Sequence, residues 1–287
     1  MKTIAFGEIL WDVYPDEKHI GGAPLNFAAH LARHGEQVAL LSAVGRDELG
    51  DLALRQLKKW GISDEYVSVL SEKQTGRCMV TLDDSGVPSY NLLDDVAYDR
   101  IACPEVTKAD VLYFGTLALR SKNNFQTLKR LLKHNAFTSV FVDINLRKPF
   151  YSPEIVEFAV QNATILKVSM EELEQTAALL GITQNNPGEF AKQLADEYKN
   201  LSVILITLGA DGAYSYSADS GKEYTCPGIK VPVCSTVGAG DSFSAAFIHE
   251  YLLGNDMDSC LMHAVYIAGL VVSRPEAVPD YAPYSNN

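Results

Sequence analysis

The sequence predicts an α/β protein with a mainly parallel central sheet. Short apolar runs alternate with segments of helical period along most of the 287 residues. Strands that alternate with helices are joined by right-handed crossovers, which make neighbouring strands parallel. From about residue 64 to residue 100 the helical period is missing and hydrophobicity alternates instead, which predicts a second, smaller β-sheet.

The strands of the main sheet are predicted from short apolar runs bounded by polar residues. Such runs are typical of strands that helices cover on both faces. In chain order they are Thr3–Gly7, Val38–Val44, Val111–Phe114, Ser139–Asp143, Thr164–Val168 and Val203–Thr207, followed by the strand-like segment Ile229–Val233.

Helices are predicted between these strands where apolar residues recur at helical spacing. Gly35 and Gly61 stand where C-terminal caps belong, and Ser152 and Asn186 each precede a proline, as helix starts often do. The predicted helices are Leu25–His34, Glu48–Trp60, Lys122–His134, Ser152–Gln161 and Ser169–Leu180, with further helical patterns after Asn186 and after Ser242.

The small sheet is predicted from a hairpin signal. Gly76–Leu82 and Val87–Leu93 both alternate, and Asp83–Gly86 has the composition of a turn between them. Together with Leu10–His19, the hairpin is expected to form a lid or dimer surface that stands off the main sheet. The prediction is a single domain over residues 1–287, with a lid from about residues 10–20 and 64–100.

Composition excludes several function classes. The chain has 24 Lys and Arg against 36 Asp and Glu, a formal net charge of -12, which argues against nucleic-acid and membrane partners. Its five cysteines are odd in number and none has CxxC spacing, so neither a disulfide framework nor a zinc site is predicted. The N-terminus lacks the pattern of a signal peptide, so we expect a cytoplasmic protein.

The strongest chemical signal is the segment Ser235–Phe243, which precedes a helical pattern. Two glycines and an alanine allow close approach of a ligand to the unpaired amides of a helix start, which favours an anion. Asp241 in that first turn could accept a proton from a substrate hydroxyl. The alternative is that the loop only starts a helix and that Asp241 only stabilises its dipole.

A second signal is Gly21–Ala28, a tight turn into a helix that carries Asn26 in its first turns. The amide of Asn26 can donate and accept hydrogen bonds to a polyhydroxylated ligand. Asp12 lies just past the first strand, where open parallel sheets bind ligands. The simpler interpretation is a capped helix start and a solvated loop acid.

Three further polar segments follow buried strands. In Lys167–Glu172, Ser169 and Glu172 have the spacing of a capping box, and Glu172 could also face a Mg²⁺–water shell. Thr207–Ala213 supplies glycines for a nucleotide or a turn. Asp143–Arg147 contains an arginine that could meet phosphate or pair with an acid. No histidine motif of a metal hydrolase, no GxSxG and no GxGxxG is present.

The order of these motifs resembles the ribokinase-like sugar kinases of the phosphofructokinase-B type. Gly22–Ala28, followed by Gly35 and Gly45, is similar to their first signature, and Thr236–Asp241 to their second. The resemblance runs nearly end to end and is strongest to fructokinases. It implies a three-layer αβα fold with a lid sheet, ATP and Mg²⁺ as cofactors, and a homodimer through the lid.

The resemblance also implies a role for each matching residue. Asp241 corresponds to the catalytic base, and Gly238, Ala239 and Gly240 correspond to the anion hole. Glu172 corresponds to the metal-binding glutamate. The sugar positions are Asp12, Gly21, Gly22 and Asn26, to which the sequence adds Arg77 as the nearest cation; the nucleotide positions are Lys167, Ser169, Thr207, Gly209, Gly212 and Thr236.

The chain departs from the family pattern at Ser235 and at Arg274–Ala277, two segments that help to build a monovalent-cation site in many members. These departures leave K⁺ activation open. The expected reaction is transfer of a phosphoryl group from ATP to a hydroxymethyl oxygen of a free sugar, most simply fructose to fructose 6-phosphate. The alternatives are a kinase of the same fold for ribose, 2-keto-3-deoxygluconate or a nucleoside, and a non-catalytic sugar-binding regulator.

Overall fold

A nine-stranded, mainly parallel sheet forms the centre of the protein. The computed structural model describes residues 2–82, 88–105, 109–184 and 186–282. The sheet has the order β13-β12-β11-β10-β9-β8-β1-β4-β5. Its strands are β1 (Lys2–Phe6), β4 (Gln37–Gly45), β5 (Ser63–Leu70), β8 (Val111–Gly115), β9 (Ser139–Asp143), β10 (Ile165–Ser169), β11 (Val203–Thr207), β12 (Gly212–Ser217) and β13 (Lys222–Pro227).

Helices cover both faces of this sheet, as the alternating pattern predicts. Two separate apolar clusters lie between sheet and helices, one on each face. The result is the predicted three-layer αβα arrangement. The helices are α1 (Ala23–Arg33), α2 (Glu48–Trp60), α3 (Lys122–His134), α4 (Pro153–Asn162), α5 (Met170–Leu180), α6 (Pro187–Glu197), α7 (Ala239–Leu252) and α8 (Met257–Val272).

The local signals at helix ends are confirmed. The Ser152 hydroxyl accepts a hydrogen bond from the amide of Ile155, and the side chain of Asn186 accepts from the amides at the start of α6. Gly61 ends α2 in the left-handed conformation. Ser169 and Glu172 form the predicted capping box at the start of α5.

A four-stranded sheet, the lid, stands beside the main sheet. Its order is β3-β2-β6-β7, built from β2 (Leu10–Val13), β3 (Lys18–Gly21), β6 (Gly76–Leu82) and β7 (Pro88–Leu92). The predicted turn Asp83–Gly86 lies outside the described residues. The second predicted lid segment began too early, at about residue 64. Residues 63–70 form β5, which pairs with β4 as an edge strand of the main sheet.

The far edge of the main sheet corrects a second prediction. Ile229–Val233 is not a strand, and the edge is formed instead by the antiparallel strands β12 and β13. Pro232 lies within the apolar run and cannot donate to a ladder, which explains why the run stays irregular. No helix in the described part of the chain is long and apolar enough to cross a membrane.

Candidate active site

The predicted site residues meet where the parallel strands end. The carboxyl ends of β1, β9, β10 and β11 open on one edge of the sheet, next to the start of α7. Ligands of open parallel sheets bind at this edge. One side of the site is formed by residues of the lid and α1, and the other opens into a large cavity.

The loop before α7 has the geometry of an anion hole. Gly238 precedes the helix with φ of 81°, and a Cβ at this position would lie 2.4 Å from the carbonyl oxygen of Ala277. Only glycine fits both constraints. Ala239 and Gly240 open the helix, so neither amide has an intrahelical partner. The amide of Ala239 donates to the carbonyl oxygen of Thr236 at 3.3 Å, and Gly240 lines the cavity at the positive end of the helix dipole.

Asp241 lies beside this hole and is held by α1. The side-chain amide of Asn26 donates to Asp241 Oδ2 at 2.8 Å, across 215 residues of sequence. Burial raises the pKa of Asp241 to about 6, and the hydrogen bond from Asn26 opposes that rise. Asp241 is therefore a carboxylate at neutral pH that is more basic than an ordinary aspartate, as a general base requires.

The side of the site next to α1 is organised around Glu8, which the sequence analysis missed. Glu8 is 3% exposed, and its carboxylate accepts a hydrogen bond from the amide of Ala23 at 3.1 Å. It supplies the cap that Gly22 cannot give to α1. Burial raises the pKa of Glu8 to about 7. The signal was present in the sequence as an acid interrupting an apolar N-terminus.

Asp12 and the two glycines lie on the lid side. Gly22 has φ of 118°, and a Cβ there would lie 2.5 Å from the carbonyl oxygen of Glu8. Gly21 leaves room for Asp12, whose Oδ2 would lie 3.4 Å from a Cβ on that glycine. Burial raises the pKa of Asp12, whereas its hydrogen bond with Cys78 lowers it.

Arg77 does not face this group. On β6 it is the neighbour of Cys78, and successive side chains of a strand point to opposite faces. Its charge lowers the pKa of Asp47 instead. Arg147, which is exposed, is a cation that does act on the site, because it lowers the pKa of Asp12 and Asp241.

A buried ion pair underlies the anion hole. Lys167 and Asp143 are 5% and 2% exposed, and Lys167 Nζ lies 2.8 Å from Asp143 Oδ2. Burial acts to lower the pKa of Lys167, but Asp143 and Glu172 outweigh it and the pKa is raised. Lys167 Nζ would lie 3.1 Å from a Cβ on Gly240, so a fixed positive charge sits directly under the hole.

Glu172 ties three segments together. Its Oε2 accepts hydrogen bonds from the amide and the hydroxyl of Ser169, at 3.1 and 2.7 Å. Its Oε1 accepts from the amide of Leu146 at 2.5 Å. Among the described residues no cluster of three metal-ligating side chains occurs.

The cavity beyond the anion hole has a volume of about 1510 Å³. The predicted nucleotide positions all line it, as do Glu172 and the hole residues Ala239 and Gly240. Its outer wall is apolar and suits a flat aromatic base. The nucleotide positions are Lys167, Ser169, Thr207, Gly209, Gly212 and Thr236, and the apolar wall contains Ile229, Val231, Val233, Val265 and Val272.

Known proteins with similar sequences are sugar kinases. The chain is 28% identical over 285 residues to 5-dehydro-2-deoxygluconokinase of Clostridium perfringens, covering 92% of this chain and 81% of the relative. It is 27% identical over 274 residues to a protein described as a probable fructokinase-2 of Arabidopsis thaliana, covering 86% and 80%.

The fold agrees with these sequences. The structure of an uncharacterized sugar kinase from Pyrococcus horikoshii in complex with ATP matches with a TM-score of 0.81 at 25% identity, over 97% of this chain and 94% of that one. The sequence model of the pfkB family carbohydrate kinases matches residues 7–283. With its three layers, its lid and its anion hole beside Asp241, the chain belongs to the pfkB family of carbohydrate kinases.

Proposed function

We propose that this chain transfers the γ-phosphoryl group of ATP to a hydroxymethyl oxygen of a free sugar, with fructose and fructose 6-phosphate as substrate and product. The observation that carries the proposal is the Asn26–Asp241 hydrogen bond beside the amides at the start of α7. The carboxylate of Asp241, whose pKa is raised, thus lies next to the anion hole that we assign to the phosphoryl group.

In this mechanism Asp241 takes the proton of the sugar hydroxyl while the hydroxyl oxygen forms a bond to the γ-phosphorus of ATP. The bond between the γ-phosphorus and the oxygen that bridges it to the β-phosphate breaks, and ADP leaves. The amide of Gly240 and the positive end of the α7 dipole stabilise the charge that spreads over the transferring group. Lys167 adds a positive charge beneath them. Closure of the lid excludes water, which would otherwise compete as acceptor.

Mg²⁺ would be bound with the ATP phosphates, where it neutralises their charge during transfer. Glu172 lines the cavity and is the carboxylate we assign to accept hydrogen bonds from the water shell of the metal. The base of ATP would lie against the apolar wall of the cavity.

The charge of the site favours a neutral acceptor. Glu8, Asp12 and Asp241 are all close enough to Arg147 for its charge to lower their pKa values. These acids repel a sugar acid, whereas hydroxyl groups can donate to them. Asn26 Oδ1, which is buried and has no hydrogen-bond partner among the described residues, is a further acceptor for a hydroxyl.

A sugar acid is the second candidate acceptor. Arg147 forms no ion pair within the described part of the chain and could bind a carboxylate. The identity to 5-dehydro-2-deoxygluconokinase is as high as that to the plant protein. We further propose a cytoplasmic homodimer that uses the lid, where Met79 and Tyr90 expose apolar surface.

The acceptor is tested by ADP release from ATP and Mg²⁺ with a panel of acceptors. The panel contains fructose, ribose, glucose, mannose, 2-keto-3-deoxygluconate, 5-dehydro-2-deoxygluconate and adenosine. We expect turnover with fructose to exceed that with every other member. Higher turnover with a sugar acid would show that the proposed acceptor is wrong, and the proposed mechanism of phosphoryl transfer would stand. No release with any member would contradict the kinase assignment.

The pH dependence follows from the raised pKa of Asp241. A base must be deprotonated to act, so activity is present above its pKa and is lost as pH falls through it. With a pKa of about 6, kcat/KM should fall about tenfold per pH unit below pH 6. For a base with the pKa of an ordinary aspartate, this fall would begin only at about pH 4. The measurement is kcat/KM for the sugar from pH 4.5 to 8 at constant ionic strength.

A control variant separates Asp241 from its neighbour. Glu8→Gln keeps an acceptor for the amide of Ala23 but cannot ionise. The acid limb near pH 6 should remain in this variant, because Glu8 is not the base. Loss of the limb in Glu8→Gln would assign it to Glu8, whose pKa is about 7.

A further inference from the structure

The anion hole is supported from behind by a loop that has no regular structure of its own. This loop, residues 274–281, follows α8 and contains neither helix nor strand. Its residue Ala277 presses against Gly238: a Cβ on Gly238 would meet the carbonyl oxygen, the carbonyl carbon and the Cα of Ala277 within 3.0 Å. Ala277 therefore packs directly against the residue that precedes the first amides of α7.

A histidine on α1 holds that loop in place. His30 is completely buried, and its Nε2 lies 2.9 Å from the carbonyl oxygen of Ala277. A carbonyl oxygen only accepts, so Nε2 carries the hydrogen. Nδ1 then accepts from the hydroxyl of Tyr281, which lies 2.7 Å away. The two partners fix a single neutral tautomer.

The charge state of His30 agrees with this assignment. Burial lowers the pKa of His30 to about 3, and its hydrogen bond to Ala277 does not offset that effect. The groups that face it are Tyr281 and Ala277 from the loop and His34 and Arg33 from its own helix. Its hydrogen-bond pattern is therefore the same across the whole working range of pH.

The same helix also holds the catalytic carboxylate. Asn26, one turn before His30, donates to Asp241. Residues four apart on a helix share a face, so both side chains reach towards the start of α7. Arg33 adds a second attachment of the loop, with an ion pair of 2.7 Å to Asp280. Helix α1 thus sets the position of Asp241 relative to the anion hole.

We propose that His30 is a positioning residue of the anion hole, acting through its hydrogen bond to Ala277. The proposal rests on the proposed phosphoryl transfer. Donors of an anion hole act in the transition state, where a small displacement is costly. Loss of the bond should therefore lower kcat and leave KM for sugar and ATP nearly unchanged.

The kinetic test compares three variants well below their melting temperatures. His30→Leu removes both hydrogen bonds and should lower kcat by at least about tenfold. His30→Gln places an amide nitrogen near the position of Nε2 and should recover most of that loss. His34→Leu is the matched control: it also removes a buried imidazole, at the residue that caps the C-terminal end of α1, but none of its hydrogen bonds goes to the backbone of the loop.

A second measurement does not depend on turnover. Hydrogen exchange of the amides at 236–242 should be faster in His30→Leu than in His34→Leu, and near wild type in His30→Gln. Equal kcat, or equal exchange at 236–242, in His30→Leu and His34→Leu would overturn the proposal. If the wild type turns over no acceptor while exchange still responds to His30→Leu, the proposed function fails and the positioning role stands.

Discussion

Replacing Asp241 with asparagine is expected to lower kcat by more than about a hundredfold and to leave the fold intact. Asparagine keeps an oxygen that can accept the hydrogen bond from Asn26, so the local geometry is retained. It cannot take a proton from the sugar hydroxyl. The measurement is kcat from ADP release, together with the melting temperature. Because burial disfavours the charged form of Asp241, its removal should leave the melting temperature equal or slightly higher.

The control for this prediction is another aspartate at a helix start. Asp256 caps α8, because its carboxylate accepts a hydrogen bond from the amide of Ser259 at 2.8 Å. Asp256→Asn therefore tests the loss of a carboxylate whose role is only to cap a helix. It should affect stability slightly and kcat not at all. If Asp241→Asn behaved in the same way, Asp241 would be a dipole-stabilising residue and the role of general base would be wrong.

The sequence was informative wherever burial and chemistry coincide in one short segment. Strands β1, β8, β9 and β11 are covered on both faces, so their apolar runs are unbroken and easy to recognise. The residues of the anion hole and Asp241 are contiguous in the sequence, from Gly238 to Asp241, so a local motif reveals them. The edge strands β12 and β13 were missed because their serines, tyrosines and charged residues interrupt any apolar run.

Pairs formed by tertiary structure were harder to predict. Glu8 meets Ala23, and His30 meets Ala277, only after the chain has folded. No local spacing records such contacts. Arg77 was assigned by its proximity in sequence to the lid, but strand alternation turns it away from Asp12.

One tertiary pair left a trace in the sequence. Asp143 ends the mostly apolar strand β9, and Lys167 is the one charged residue of β10, which is the next strand in the chain. In the sheet β9 and β10 are adjacent and parallel, and the register places Lys167 directly beside Asp143. A charge of each sign in successive buried strands therefore predicts an ion pair, because neither charge is stable there alone.

This pair supports the second large prediction, which concerns Lys167→Met. Removing the ammonium leaves Asp143 buried without a counter-ion, so the free energy of unfolding should fall by about 3–5 kcal/mol. The activity should also be lost, because the positive charge beneath Gly240 disappears. Urea unfolding and ADP release measure the two effects.

The pH dependence of the variant has a definite sign. Without Lys167 the pKa of Asp143 in the folded protein rises further above its unfolded value, because burial already raises it and Lys167 was the main opposing influence. The charged carboxylate then destabilises the fold at high pH, and protonation relieves this as pH falls. The stability difference between Lys167→Met and wild type should therefore shrink towards acid pH.

The double variant Asp143→Leu/Lys167→Met separates folding from catalysis. Replacing both members of a buried pair by apolar side chains is often neutral for stability, so most of the lost unfolding free energy should return. Activity should not return, because no cation remains under the anion hole. Recovery of kcat along with stability would show that Lys167 serves only to balance Asp143, and that the amides of α7 suffice to stabilise the phosphoryl group without it.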